Sequence, residues 1–299
     1  MSTPVSKVGS LADAVALIRD GTRLALGGFA IYQRPMAMIR ELIRNRRRNL
    51  TIVGTVSGND VDLLAGAGCL ARVETSYVGL EKYGLATNFR RAVEAGEITI
   101  VDYPEILSFD RFRASQEAMT FWQCDYLGGT DVLTHNRDIK PFTCPLTGRT
   151  LYAVPPADPQ VVVIHAIAAD EQGNVIFPRR HLLPQGLDVI MARGCDTVIV
   201  TVEKVVPYSF IRRNADQNQL PAYKTTMVVE APFGAHPTAV LGRYTGDDAH
   251  FRDYVAASQT PDGFAQYLDR YVMSPTDHRD YLESIGSDRL LALQEFDAP

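Results

Sequence analysis

Four cysteines stand at 69, 124, 144 and 195 of the 299 residues, with no CxxC pair and no histidine at ligand spacing. That scarcity argues against a zinc site or a disulfide framework and fits a reducing compartment. Positive charge is not in excess either: 30 Lys plus Arg face 35 acidic residues, a net charge of -5, so the overall field does not draw the chain to nucleic acid. No run approaches the roughly 20 apolar residues of a membrane span. The first 21 residues lack an apolar stretch behind basic ones, so a cytoplasmic location is expected. GxSxG and HExxH are absent, and with them the signatures of a serine hydrolase elbow and a zinc protease helix. No nucleophile declares itself.

Hydrophobic residues at 46% and charged residues at 22% suit a chain that buries a substantial core. "SLADAVALIRDG" opens on Ser10 as a helix cap, with apolar residues at 11, 14, 15 and 18. "RLALGG" reads as a short buried strand and "RPMAMIRELIR" as a helix with Pro35 in its first turn. The scheme repeats in "NLTIVGTVSGND" and "DVDLLAGAG", where Asn59 or Asp60 can cap the helix, then in "RVETSYVG", "ATNFRRAVEAG" and "EITIVDY". Alternation of this kind predicts an α/β fold with an open, largely parallel sheet flanked by helices. Residues 120–150 read as a long irregular segment, and "QVVVIHAIAADEQGNVIF" as a central strand turning into a second one. A further helix and two strands follow, and the carboxyl end is helical. With no repeat, low-complexity segment or linker, residues 1–299 read as a single domain. The basic run "RNRRRN" at 44–49 closes a helix, where cations complement the dipole.

Gly27 and Gly28 follow a strand and precede a helix, the place where α/β sheets meet ligands. Such a turn can let a ligand approach the backbone and offer N–H groups to an oxyanion or phosphate, or it can simply be a tight corner. "GGFAIY" is neither a dinucleotide fingerprint nor a phosphate loop. Ser57 and Gly58 occupy the equivalent turn after the second strand. Glu105 follows the fourth strand at a helix start, where the dipole favours a carboxylate with or without a function. His165 reads first as a satisfied sheet histidine, with a catalytic base as the alternative, and His236 first as turn packing.

Three ordered segments carry a resemblance. "RLALGGFAIYQRPMAMIREL", "VVVIHAIAADEQGNV" and "MVVEAPFGAHPTAVLGRYTGDD" with "HRDYLESIGSDRLLAL" are similar to the α (A) subunits of family I coenzyme A transferases, above all those of the glutaconate type. The likeness spans about Val5 to Leu293. It implies the open fold shared with sugar-phosphate isomerase relatives and an α2β2 assembly in which a β subunit is the partner. The implied chemistry is covalent catalysis by a glutamate of that β subunit on an acyl-CoA thioester, with coenzyme A a substrate moiety and no metal or redox cofactor.

By the same resemblance, Gly27, Gly28 and Phe29 line the acyl site and offer N–H groups to the thioester oxyanion, and Ser57 and Gly58 form a neighbouring wall. Glu105 aligns with a carboxylate implicated in catalysis in related ring-opening hydrolases of steroid-derived CoA esters. The implied function is CoA exchange between a short or dicarboxylic acyl-CoA and a carboxylate acceptor; the alternative is hydrolysis, C–C cleavage or decarboxylation of a CoA ester. Asp125 and Tyr126 depart from the family's Arg and small residue, which leaves the acyl group open.

Overall fold

The computed structural model describes residues 5–179 and 186–295. Helix α1 (Leu11–Ala16) starts in a reciprocal capping box between Ser10 and Asp13 and leads into β1 (Arg23–Leu26). Then come α2 (Met36–Arg44), β2 (Leu50–Val53), β3 (Val56–Ser57), α3 (Asn59–Gly66), β4 (Leu70–Thr75) and β5 (Tyr77–Val78). Next are α4 (Thr87–Glu94), β6 (Thr99–Asp102) and α5 (Glu105–Gln116). The cap of α3 is Gly58 rather than Asn59 or Asp60, because the Asp60 carboxylate reaches back to the Gly58 N–H from the second helical position.

Residues 120–150, expected to be irregular, hold β7 (Trp122–Cys124), α6 (Val132–His135) and β8 (Lys140–Thr143), and β9 (Thr150–Val154) completes a separate antiparallel sheet. Three short strands escape pattern reading because they have too few alternations, and Pro141 argues against a strand. It is tolerated because β8 is an edge, paired only with the central β9.

The chain returns through β10 (Val161–Ala169), β11 (Val175–Ile176), α7 (Leu187–Arg193), β12 (Val198–Val205), α8 (Tyr208–Arg213), β13 (Asn218–Leu220) and β14 (Met227–Glu230). The carboxyl end is helical as expected: α9 (Asp248–Ala257), α10 (Pro261–Leu268), α11 (His278–Ile285) and α12 (Ser287–Leu293). None of the described helices is long and apolar enough to cross a membrane.

The main sheet is open and mostly parallel, running β14-β12-β10-β1-β2-β4-β6, with β11 antiparallel beside β10 and β13 antiparallel beside β11. Alternating side chains divide it into two faces. Leu24, Leu26, Ile52, Val73 and Val163 face α1 to α4 and the carboxyl-terminal helices; Ala25, Val53, Val162, Ile164 and Val200 face α5 and α7. Strands are buried on both faces, which is why they read as continuous apolar runs. Even α2 is buried along nearly its whole length.

The hairpin between β10 and β11 is held by Asp170, whose carboxylate accepts from the N–H groups of Gln172 and Asn174 and from the Asn174 amide. The basic run finds helix ends: Arg47 donates to the Val15 carbonyl in α1, and Arg48 to the carbonyls of Ala67 and Gly68 just past α3.

Candidate functional site

The strands β1, β2, β4 and β6 add outward in one direction, whereas β10, β12 and β14 add in the other. The order therefore reverses between β1 and β10, and a crevice at the carboxyl ends of those strands is the expected ligand position. The structure deepens it. Strand β1 pairs with β10 only as far as Val163, and β11 takes over beside β10 at Ala168. In the gap between them the Gln33 amide donates to the His165 carbonyl, and the Gly27-Gly28-Phe29 turn leaves the sheet.

Both glycines are dictated by their neighbours. A Cβ on Gly27 would lie 2.7 Å from Ile164 Cγ2, and one on Gly28, whose φ is +82°, would lie 2.4 Å from the Tyr32 carbonyl oxygen. The donors expected to face an oxyanion are engaged within the chain. Gly27 N–H donates to Val163 at 2.8 Å, Gly28 N–H to Asp188 Oδ1 at 2.8 Å, and Phe29 N–H to Tyr32 at 3.0 Å. The Gly58 N–H is likewise taken by Asp60.

Arg34, 2% exposed, ties the two turns together. Its guanidinium donates to the carbonyls of Gly27, Ala30 and Val56 and pairs with Asp60 at 3.3 Å. The Ala30 N–H also donates to Val56. A buried arginine satisfied by carbonyls and one carboxylate fixes both backbones at once. Ser57 is buried in this wall, behind the first turn.

Phe29 stands between two hollows. One is walled by Gly28, Phe29, Tyr32, Phe177, Leu187 and Asp188 and is mostly apolar. The other, more open, runs from Phe29 and Val56 past Tyr77 to Glu105, with Glu81 and Asp102 beside it. The two hollows share Phe29: Gly28 lines the first and Glu105 the second. Gly27, Ser57 and Gly58 line neither hollow, and Asp125 and Tyr126 follow the end of β7, outside both. Asp125 there forms an exposed ion pair with Arg149.

Asp188 was not legible from sequence: its partner Gly28 lies 160 positions away. Burial pushes its carboxyl up to about 6, against the Gly28 hydrogen bond and the Arg34 charge, which favour ionisation. Since its folded value lies above its unfolded one, ionising it weakens the fold as pH rises from about 4 to 6. Asp188→Asn keeps an acceptor for Gly28 and removes the charge. It is expected to stabilise by about 1–3 kcal/mol at pH 8 and by little at pH 4.5, read by denaturant unfolding at both pH values; an equal effect at both would contradict the assignment.

His165 is fully buried in β10, with Nδ1 2.8 Å from Thr201 Oγ1 and Nε2 2.7 Å from Glu203 Oε1, and serves the core. His236 is a structural pin. Its ring nitrogens meet the Tyr281 hydroxyl at 2.6 Å and Asp247 Oδ2 at 3.0 Å. His250 brings a third ligand atom within 4.8 Å of those of His236 and Asp247, a spacing that admits a metal ion. The donor set does not suit one. Both Asp247 oxygens already accept from Arg289, at 2.6 and 2.7 Å, and a third cation there would face Arg289 and Arg40.

A family profile described as Coenzyme A transferase matches residues 8–231. The chain belongs to the coenzyme A transferase family. The match takes in the whole parallel sheet and ends just past β14, so the coenzyme A transferase signature covers the switch point and leaves the carboxyl-terminal helices outside.

Among its relatives, an uncharacterized protein of Archaeoglobus fulgidus is 33% identical over 288 residues. That alignment covers 95% of this chain and 63% of the relative, so the chain spans less than two thirds of its length. The A subunit of the glutaconate CoA-transferase of Acidaminococcus fermentans is 29% identical over 311 residues, 97% of this chain and 95% of the relative. The crystal structure of that glutaconate coenzyme A-transferase superposes with a TM-score of 0.92 over 98% of this chain and 96% of its own. The A subunit of the 3-oxoadipate CoA-transferase of Pseudomonas knackmussii is 30% identical over 277 residues, 91% of this chain and 95% of the relative.

Proposed function

We propose that this chain is the α subunit of a heteromeric CoA-transferase that exchanges coenzyme A between a short or dicarboxylic acyl-CoA and a carboxylate acceptor. The observation that carries the reading is the groove around Phe29, built at the sheet's switch point on a turn whose own N–H groups are spent on the chain. Such a turn presents shape rather than reactive donors. It offers a Cβ-free floor at Gly28, a ring wall at Phe29 and a carboxylate at Glu105. The subunit names of the glutaconate and 3-oxoadipate relatives support a two-subunit enzyme, and an α2β2 assembly is the simplest closed form of it.

In this reading the thioester carbonyl carbon is attacked by a glutamate of the β subunit, and the C–S bond breaks to give an acyl-glutamyl anhydride and CoA thiolate. The thiolate then attacks the glutamyl carbonyl and releases the first carboxylate, leaving a glutamyl-CoA thioester that the acceptor resolves by the reverse steps. No proton, metal or redox equivalent is consumed. This chain holds the acyl group in the hollow beside Phe29, excludes water there and sets Glu105 in the neighbouring hollow on the other side of that ring.

The test is an exchange assay on the chain alone and on the chain assembled with its β subunit, with hydroxylamine trapping of the thioester. The chain alone is expected to be inactive and the assembly active, with the trapped glutamate in the β subunit. Within the assembly, Glu105→Gln is expected to lower kcat by about 100-fold if Glu105 touches the reacting group. Unchanged turnover would remove Glu105 from the mechanism and leave this chain with a shaping role only.

A further inference from the structure

At the amino-terminal end of β1, opposite the Gly27-Gly28 turn, the sheet face under α5 carries an unusual concentration of arginine. Arg23 and Arg72 stand level with each other across β2, and Arg111 reaches the same spot from α5, its guanidinium 3.7 Å from the centre of the Tyr103 ring. All three share one carboxylate. Glu74 Oε1 accepts from Arg23 and Arg72, and Oε2 from Arg23 and Arg111, at 2.7–2.8 Å. With four donors on its two oxygens, Glu74 has no capacity left.

The arginines are aimed as well as neutralised. Backbone carbonyls of Pro155 and Ala157 accept from Arg111 Nε and Arg23 Nε, so these guanidinium groups are fixed before any ligand arrives. They wall an open hollow with Arg137 and Lys140 on its rim. Five cations there face only two carboxylates, Glu74 and Asp138, which leaves a surplus of three positive charges. Arg137 has no acceptor for its guanidinium among the described residues, and Lys140 spends one donor on the Arg137 carbonyl.

We propose that this hollow binds a small phosphate-bearing molecule with two or more negative charges. A monocarboxylate offsets one of the three surplus charges, whereas a phosphate monoester or diphosphate offsets two or three and offers enough oxygens for donors arriving from several guanidinium groups. The same chemistry is carried by free diphosphate metabolites and by the 3′-phosphoadenosine diphosphate end of coenzyme A. The site is distinct from the groove around Phe29 and does not depend on the transferase reading.

The test uses the full chain and its double variant Arg137→Ala/Lys140→Ala, whose changes fall on exposed rim positions and spare the buried Glu74 cluster. Calorimetric titrations with pyrophosphate, adenosine 3′,5′-bisphosphate and citrate separate the sources. Pyrophosphate is expected to bind at low salt and to bind about tenfold more weakly, or less, to the double variant. Tighter binding of the bisphosphate than of pyrophosphate supports a nucleotide end as the source, and weaker binding supports a free diphosphate. No heat with either phosphate, equal affinity in the double variant, or citrate matching pyrophosphate overturns the proposal.

Discussion

Gly28→Ala is expected to cost about 3–5 kcal/mol of stability and to abolish activity of the assembled enzyme. Three effects add. An L residue at φ +82° carries about 1–2 kcal/mol of left-handed strain. Its Cβ would meet the Tyr32 carbonyl oxygen at 2.4 Å and Gln33 backbone atoms at 2.8 Å, and backbone cannot swing aside as a side chain can. Relieving that clash pulls the Gly28 N–H off Asp188 and strands a buried carboxylate without its donor, which costs about 1–3 kcal/mol more. Gly148→Ala is the control: its φ is +72°, yet nothing lies within 4 Å of the added methyl, so only the conformational strain remains. Guanidinium unfolding of the two variants separates them; equal losses would mean that the turn relaxes freely and that the close packing at Gly28 is not felt.

Acid should loosen the fold well before ordinary carboxylates protonate. His236, His250 and His278 lie in the layer where the carboxyl-terminal helices meet the sheet, and all are buried. Burial holds each below its ordinary 6.5, with the Arg40 charge acting in the same direction, and His278 comes down to about 3. Below pH 6.5 the unfolded chain therefore takes up protons that the folded chain refuses, so stability is lost as pH falls, by at most about 1.4 kcal/mol per pH unit for each histidine. Asp188 acts in the opposite sense over pH 4–6 and returns part of this. His278 alone is expected to lose about 2 kcal/mol between pH 7 and pH 5, and His236 and His250 add losses of the same sign, a sizeable share of an ordinary domain's stability. Denaturant midpoints at the two pH values measure it, and His278→Gln is expected to remove the His278 part of the difference and leave the rest. A stability that stays flat from pH 7 to 5 would show that these rings already carry protons in the fold.

Much of the main sheet was legible because strands buried on both faces read as unbroken runs of Val, Ile, Leu and Ala, and because glycine turns and helix periods separate them. Val161–Ala169 is the clearest case, with nine consecutive buried residues. The small sheet of β7, β8 and β9 was not legible, since its strands have three to five residues and carry Pro141 and Lys140 where an apolar alternation would be needed. At the site, position pointed to Gly28, Phe29 and Glu105. Arg34 and Asp188 were missed, and Asp60 was read only as a helix cap, for a common reason: their types are ordinarily solvated, and only tertiary packing shows them buried among backbone groups. The oxyanion role expected of the turn came from the family resemblance, and sequence does not reveal that Val163, Asp188 and Tyr32 already accept its N–H groups.

The replacement of β1 by β11 alongside β10 also has a temporal side. Gly27 finds its acceptor in Val163, and Arg23 finds Gln160 at a separation of 137 residues. A nascent chain can lay down β1, β2, β4 and β6 in order of synthesis, but β1 then has one apolar flank with nothing beside it until β10 emerges. Closing that flank is a long-range event of the kind that slows folding and leaves strand edges open to the wrong partner. The groove around Phe29 thus cannot be completed until β10 has been made, and a chain that stalls before residue 163 has the glycines of the site without the site.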